Sequence, residues 1–389
     1  MKDKNWIVCQ IGAREHYAIP RALQSRGRLN CLFTDYWHSN SSFTAKLPGL
    51  QKLKDRNHPD LSTSLVRSFN CEILGRSLFD KLAGRGPWQA IIERNLFFQK
   101  RTIAQLEKLN LQDGEITLFS YSYAALELFR YAKSRGWTTV LGQIDPGPEE
   151  ERIVAAEQEQ SPASSSLWKP APSSYWTDWQ EEVTLADRVV VNSSWSAECL
   201  TKEGVSGAKV EIIPLVYTPD HRDQTRPPRD PSEPFHLLFL GQFNLRKGAA
   251  RLLEAMRMLR GENIKLTIAG PSDLPATEWE DLKSVTWVGP VPRSTVMSYY
   301  SNADAFVLPT LSDGFALTQL EASAAGLPLL VSSNCGEVVQ EGINGMIFPD
   351  LRPSSIAETI RCAAAKADWA PPTTKPFDLT DLGKRLTKS

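Results

Sequence analysis

Short apolar runs alternate along this chain with longer segments whose apolar residues recur at helical spacing, and turn residues separate the two. Residues 6–11, 31–34, 116–120, 138–144 and 210–214 read as short buried strands, aliphatic and β-branched and too brief for buried helices. Between them, 17–25, 121–135 and 149–160 carry the helical period, with Gly27 and Gly136 closing the first two. The rhythm resumes after residue 234. Strands are expected at 235–240, 265–269, 285–289, 303–308 and 329–331, and helices at 249–259, at 293–302, over about ten residues ending at Gly326, from 334 onward, and at 354–367. Residues 65–109 read as largely helical, and 36–61 as a polar loop or short helices. Repeated β-α-β units predict an α/β fold with parallel sheets.

At 389 residues the chain exceeds what one core usually serves. The prolines 219, 227, 228, 231 and 234 amid charges read as an exposed linker. The division is therefore residues 1–217, a linker at 218–234, a second domain at 235–370, and a short basic segment, 371–389, that packs back on the first domain. Forty-four Lys and Arg against 45 Asp and Glu give a net charge of -1, with no global case for a nucleic-acid or anionic-membrane partner. Six cysteines without a Cys-x-x-Cys pair read as reduced thiols, not a zinc site. No apolar run reaches the roughly 18 residues of a membrane span, and the opening Met-Lys-Asp-Lys-Asn lacks a signal peptide's apolar region. The expectation is a cytoplasmic protein, with peripheral contact at the inner face of a membrane left open.

The densest chemistry lies after the 303–308 strand. Asp313-Gly314 leads into a helix whose first amides, those of Phe315, Ala316 and Leu317, would point with the positive end of the helix dipole at an anion above the strand edge. Asp313 lies just outside that helix and Glu321 two turns inside, so the pair could flank a bound diphosphate. The plainer alternative is a dipole-stabilising Asp and a solvated Glu. Arg246-Lys247-Gly248 stands just before the 249–259 helix, where cations oppose the dipole, which argues for an anionic ligand. The first loop, Gly12-Ala-Arg-Glu-His-Tyr, is not the dinucleotide Gly-x-Gly-x-x-Gly, so a nicotinamide cofactor is disfavoured. Asp145, in Gln143-Ile-Asp-Pro-Gly147, could orient a hydroxyl or accept its proton, or could simply initiate a turn. Trp168, Tyr175, Trp176 and Trp179 ring a Ser/Pro-rich stretch that reads as a mobile loop; such aromatics suit sugar or lipid acceptors, or pack on their own domain. Arg67, Arg76, Lys81, Arg85, Arg94, Lys100 and Arg101 read either as a solvated helix face or as attraction to an anionic surface.

Taken together, these motifs resemble the retaining glycosyltransferases of family 4, whose second domain carries a Glu-x7-Glu pair in a setting like Pro-x-x-x-Glu-Gly-Phe-Gly-Leu. Here the pair is Asp313 and Glu321, one methylene short at the first acid. The resemblance extends over 183–215 and 235–360, is fainter over 1–35 and 116–150, and is absent from 36–110. It implies the GT-B arrangement, two Rossmann-like domains with parallel sheets facing across a cleft. It also implies transfer of a sugar from a nucleoside-diphosphate sugar to an acceptor hydroxyl on a sugar, lipid-linked glycan or small molecule, with retention and without a metal or other cofactor. Under it, Asp313 contacts the transferred sugar, Glu321 the ribose, and Lys247 the diphosphate; Gln242 replaces the family's Arg, and Arg246 can supply the missing charge. Gly314, Phe315, Ala316, Leu317 and Thr318 complete the donor seat, and the turn at Val288 lines the nucleobase. Gly12, Arg14, His16 and Gln143 fall on the acceptor side, where Asp145 stands in place of the family's cleft His. The departures at 145, 242 and 313 keep open a binding protein of the same fold that has lost turnover. A phosphorylase is a third reading, against which no lysine stands out as a carrier of pyridoxal phosphate.

Overall fold

The computed structural model describes residues 5–38, 56–70, 72, 86–109, 111, 115–160, 168–217, 232–366, 368–371 and 377–388. The first sheet comprises β1 (Trp6–Gln10), β2 (Leu29–Thr34), β3 (Val66–Ser68), β4 (Thr117–Tyr121), β5 (Thr138–Gly142), β6 (Arg188–Val191) and β7 (Val210–Ile212), all neighbours parallel, in the order β3-β2-β1-β4-β5-β6-β7. The second holds β8 (Phe235–Leu240), β9 (Ile264–Ala269), β10 (Val285–Gly289), β11 (Ala305–Leu308), β12 (Leu329–Val331) and β13 (Gly345–Ile347), again parallel, in the order β10-β9-β8-β11-β12-β13. In each sheet the order reverses between the first and fourth strands, and loops leaving the carboxyl edge at such a point frame a crevice.

Continuous apolar runs follow from burial on both faces. Ile7 and Cys9 enter one core with Phe33, Leu118 and Phe129, while Val8 points the other way, toward Tyr17, Leu32 and Phe119. The helices are α1 (Ala18–Ser25), α2 (Pro87–Leu106), α3 (Leu126–Ser134), α4 (Pro148–Gln160), α5 (Ser173–Leu185), α6 (Ser194–Lys202), α7 (Ala249–Met258), α8 (Arg293–Ser301), α9 (Leu317–Ala324), α10 (Pro353–Ala365) and α11 (Leu379–Leu386). Helix α11 lies on α1: Leu382 and Leu386 join the first-domain core, and Arg26 Nε donates to Thr387 Oγ1 at 3.0 Å. Among the described residues no helix is long and apolar enough to cross a membrane.

Four expectations need correction. Val66–Ser68 lies in the span read as helical, yet it forms an edge strand on β2. Helix α3 starts five residues later than expected, because Tyr123 takes a left-handed φ of 72° and the buried Glu182 carboxylate accepts the amides of Tyr123, Ala125 and Leu126 at 2.7–3.0 Å. Tyr175, Trp176 and Trp179 stand on α5 and not on a mobile loop. No helix opens at 334, where a short 3-10 turn, Ser333–Cys335, runs into Gly336 at φ 99°. Most of the linker (218–231), much of the 36–85 segment, and residues 161–167 and 372–376 lie outside the described residues.

Candidate functional site

The loop leaving β8 ends at Gly248, where φ is +72° and an added Cβ would stand 1.9 Å from the Pro309 carbonyl oxygen. Only glycine allows this approach, and it presses Arg246 and Lys247 against the loop leaving β11. The Lys247 ammonium donates to the Asp313 carboxylate. The Arg246 guanidinium lies 3.5 Å from Asp313 and 3.7 Å from Glu150, and donates to the Ser312 carbonyl at 3.2 Å. Burial would raise the Asp313 carboxyl, but the charges of Lys247 and Arg246 hold it below the ordinary range. Glu150 moves the other way: burial, reinforced by repulsion from Asp145 and Asp313 and only partly offset by Arg246, pushes it up to about 8. Near neutrality, then, Arg246 and Lys247 face an ionised Asp313 and a largely protonated Glu150.

Asp313 is fixed by its amide, which donates to the Asn334 carbonyl at 2.9 Å. Gly314 is the tightest junction of the two domains. Its carbonyl accepts from Ser193 Oγ at 2.8 Å, and an added Cβ would stand 2.2 Å from the Ile144 carbonyl oxygen. Phe315 packs against Gly336. The Ala316 amide is not free, as the sequence led one to expect: it donates to the Cys335 carbonyl at 3.0 Å. Glu321 accepts a hydrogen bond from the Tyr300 hydroxyl at 3.0 Å, and that hydroxyl also lies 3.2 Å from the Thr318 carbonyl oxygen. Burial raises the Glu321 carboxyl, with Tyr300 and Arg293 opposing. Gln242 is exposed and its amide is engaged by Asp273 at 2.9 and 3.1 Å, so it offers no substitute for a cation. Val288 is 39% exposed at the end of β10, open to a planar ligand.

Across the interface, Gly12 has φ +87° and its amide donates to Asp35 at 2.9 Å. Arg14 is exposed and lies over the Tyr121 ring at 5.4 Å. His16 faces Arg293 of the second domain, with nitrogen separations of 3.2 and 3.3 Å. Gln143 is 2% exposed and both ends of its amide are engaged: Oε1 accepts from Trp179 at 3.0 Å and Nε2 donates to the Asp145 carbonyl at 3.0 Å. It braces the turn that carries Asp145. Asp145 Oδ1 accepts from Tyr123 and from the Gly147 amide at 2.9 Å, a turn-forming contact, and burial raises its carboxyl. The turn-forming role considered for Asp145 is thus seen in Oδ1, while Oδ2 takes none of these bonds.

Sequence reasoning missed Glu150, hidden in the run Glu149-Glu150-Glu151 that reads as a solvated acidic helix. Its position two residues after Asp145-Pro-Gly-Pro148 was the available signal. It also missed Glu15, which burial pushes up to about 7 against a Tyr121 hydrogen bond of 3.1 Å and the charge of Arg14. Glu15, His16 and Tyr17 are three successive non-glycine residues at φ 50–61°, a strained start for α1.

Residues 220–367 match the family model described as glycosyl transferases group 1. The chain is 36% identical over 131 residues to an uncharacterized glycosyltransferase of Methanocaldococcus jannaschii, covering 31% of this chain and 33% of that protein. It is 28% identical over 221 residues to a D-inositol 3-phosphate glycosyltransferase of Kribbella flavida, covering 50% and 52%. The chain thus spans about a third to a half of the length of these relatives. The crystal structure of Anabaena HepE in complex with UDP and glucose superimposes with a TM-score of 0.62 at 14% identity, covering 98% of both chains. The fold is the GT-B arrangement of two Rossmann-like domains.

Proposed function

We propose that the chain is a glycosyltransferase that moves a sugar from a nucleoside-diphosphate sugar to an acceptor hydroxyl, with retention of configuration and without a metal. The observation that carries this reading is the convergence of Arg246 and Lys247 on Asp313 at the start of α9. Departure of a nucleoside diphosphate develops negative charge. Two fixed cations and the amides heading α9 oppose that charge from positions set before the reaction, which is where electrostatic stabilisation is most effective. Asp313, held ionised, meets the transferred sugar when the diphosphate takes over its cations; Glu321, presented by Tyr300, takes the ribose hydroxyls. Asp145 receives the acceptor hydroxyl or its proton, and its raised carboxyl suits that exchange. Similarity of the second domain to glycosyl transferases group 1, and the UDP-bound neighbour of the same fold, support a nucleotide-sugar donor.

The rival, a nucleotide-sugar binder without turnover, draws on the engagement of Gln242 by Asp273: the position of the resembled pattern's Arg offers no cation, and Arg246 has to serve in its place. A thermal-shift panel of nucleoside diphosphates and their sugar esters, with and without a chelator, tests the reading. The expected result is a rise in midpoint with one base, indifferent to chelator, followed by release of free diphosphate once an acceptor is supplied. No shift with any nucleotide would sink it; a shift without turnover would leave the binder.

A further inference from the structure

Arg246 stands between carboxylates of both domains. Its guanidinium lies 3.5 Å from Asp313 of its own domain and 3.7 Å from Glu150 Oε2, which α4 of the first domain carries to the interface. Glu150, Asp145 and Arg246 line a cavity of about 110 Å³ whose walls also include the rings of Trp88, Tyr123 and Tyr175. Oε2 is buried and makes no hydrogen bond, since 3.7 Å brings it within the field of Arg246 but beyond bonding distance. A structural ion pair is built differently: Arg251 and Glu157, also paired across the domains, meet through bonds of 3.0 Å.

Other titratable groups face Glu150 from each neighbouring element. The loop after β5 brings Asp145, the loop after β11 brings Asp313 with Lys247 bonded to it, the loop after β4 brings Tyr123, and α6 brings Cys199. Glu151, next along α4, is occupied by Trp176 and the Ala171 amide. Burial and the two carboxylates outweigh Arg246 and a hydrogen bond from Ser312, so the Glu150 carboxyl keeps its proton up to about 8. A neutral carboxyl beside Arg246 subtracts nothing from its charge and has a proton to give, and a buried donor without an acceptor is costly. A phosphate oxygen seated on Arg246 is an acceptor at that spot. An ionised carboxylate there would repel the phosphate and share the cation.

We propose that Glu150 is a positioning residue for the donor diphosphate, acting through Arg246 from the opposite domain and setting how much of that cation's charge the diphosphate receives. The proposal rests on the reading of Arg246 and Lys247 as a diphosphate site and adds to it a dependence on the first domain. With Gln242 tied to Asp273, Arg246 serves in place of a cation at 242, and Glu150 is the group that governs it. Neutral Glu150 leaves Arg246 to the ligand, so diphosphate affinity is full below about 8 and is lost as pH rises through that value.

Calorimetric titration of UDP, ADP or GDP, whichever the thermal-shift panel selects, into wild type and Glu150→Gln from about pH 7 to about pH 9 reads this directly. Glu150→Leu takes the place of the amide variant should that one fail to fold. The nucleotide and the other groups titrate alike in both proteins, so the ratio of the two affinities isolates Glu150. Wild type and Glu150→Gln should bind alike near pH 7, and the variant should bind about tenfold more tightly near pH 9, about one unit above the wild-type carboxyl. A ratio that stays constant with pH, whatever its value, would overturn the proposal and leave the diphosphate site standing, since a merely structural Glu150 shifts affinity equally throughout. No binding of any of the three nucleotides to either protein would overturn the diphosphate site itself, and this inference with it.

Discussion

Over six strands the two domains repeat one plan, the first adding β7 at its edge, with the same reversal beside the first strand of each sheet, and yet their facing loops carry opposite chemistry. The loops leaving β8 and β11 present Arg246, Lys247 and the amides heading α9. The loops leaving β1, β4 and β5 present Glu15, Tyr121, Tyr123 and Asp145, with Glu150 at the start of α4 behind them. One face is cationic and the other acidic and aromatic. The sheet fixes where a ligand lies; the loops decide which part of it each domain takes. Under the proposed function a diphosphate falls to the second domain and hydroxyl-bearing rings to the first.

The opposition requires that the faces be held together, and a buried ion pair does much of this. Glu157, 3% exposed on α4, accepts two bonds from Arg251 Nε of α7 at 3.0 Å, with a further bond from Nη2. Replacing Arg251 by Ala leaves a buried carboxylate alone and should cost about 3 kcal/mol in chemical denaturation; a change within the noise would mean that the two faces are aligned by something else. Gly314→Ala attacks the same alignment sterically, since its Cβ would overlap the Ile144 carbonyl. We expect about 2 kcal/mol of lost stability and a larger radius of gyration by X-ray scattering. An unchanged radius would show that the loops yield without parting the domains.

A third test probes the acidic face alone. A Glu150 carboxyl raised from 4.5 to about 8 binds a proton in the folded state that the unfolded chain releases, so its contribution is fully present below 4.5 and is lost as pH rises through about 8. Thermal midpoints of Glu150→Gln should therefore fall less steeply than those of wild type across that window. Parallel curves would show that Glu150 titrates normally and that the acidic face is less buried than described.

The same contrast explains what could be read from the chain beforehand. The second domain announces itself because its chemistry is contiguous: Arg246-Lys247-Gly248 and Asp313 through Glu321 each occupy one loop and helix start, where spacing alone puts them together. In the first domain the groups come from α2, α4, α5 and three strand ends, and only folding brings Trp88, Tyr123, Glu150 and Tyr175 to one cavity. Local pattern misled where long-range contacts overrode it. Glu182 caps α3 from another helix and moves its start, and Val66–Ser68 becomes a strand because β2 offers it an edge. The Ala316 amide looked free because Cys335, which takes it, is distant in sequence.

The cationic face is the central claim, and calorimetric titration of the nucleoside diphosphate selected by the thermal-shift panel into wild type and Lys247→Ala tests it most directly. Loss of one charge-assisted contact should weaken binding by about thirtyfold, an effect that shrinks as salt is added; because Lys247 also pairs with the buried Asp313 in the free protein, the thermal midpoint of the variant falls, and titration is done well below it. Equal affinity for the two proteins at low salt would contradict the account, because the diphosphate would then be held by something other than the cations that meet at Asp313.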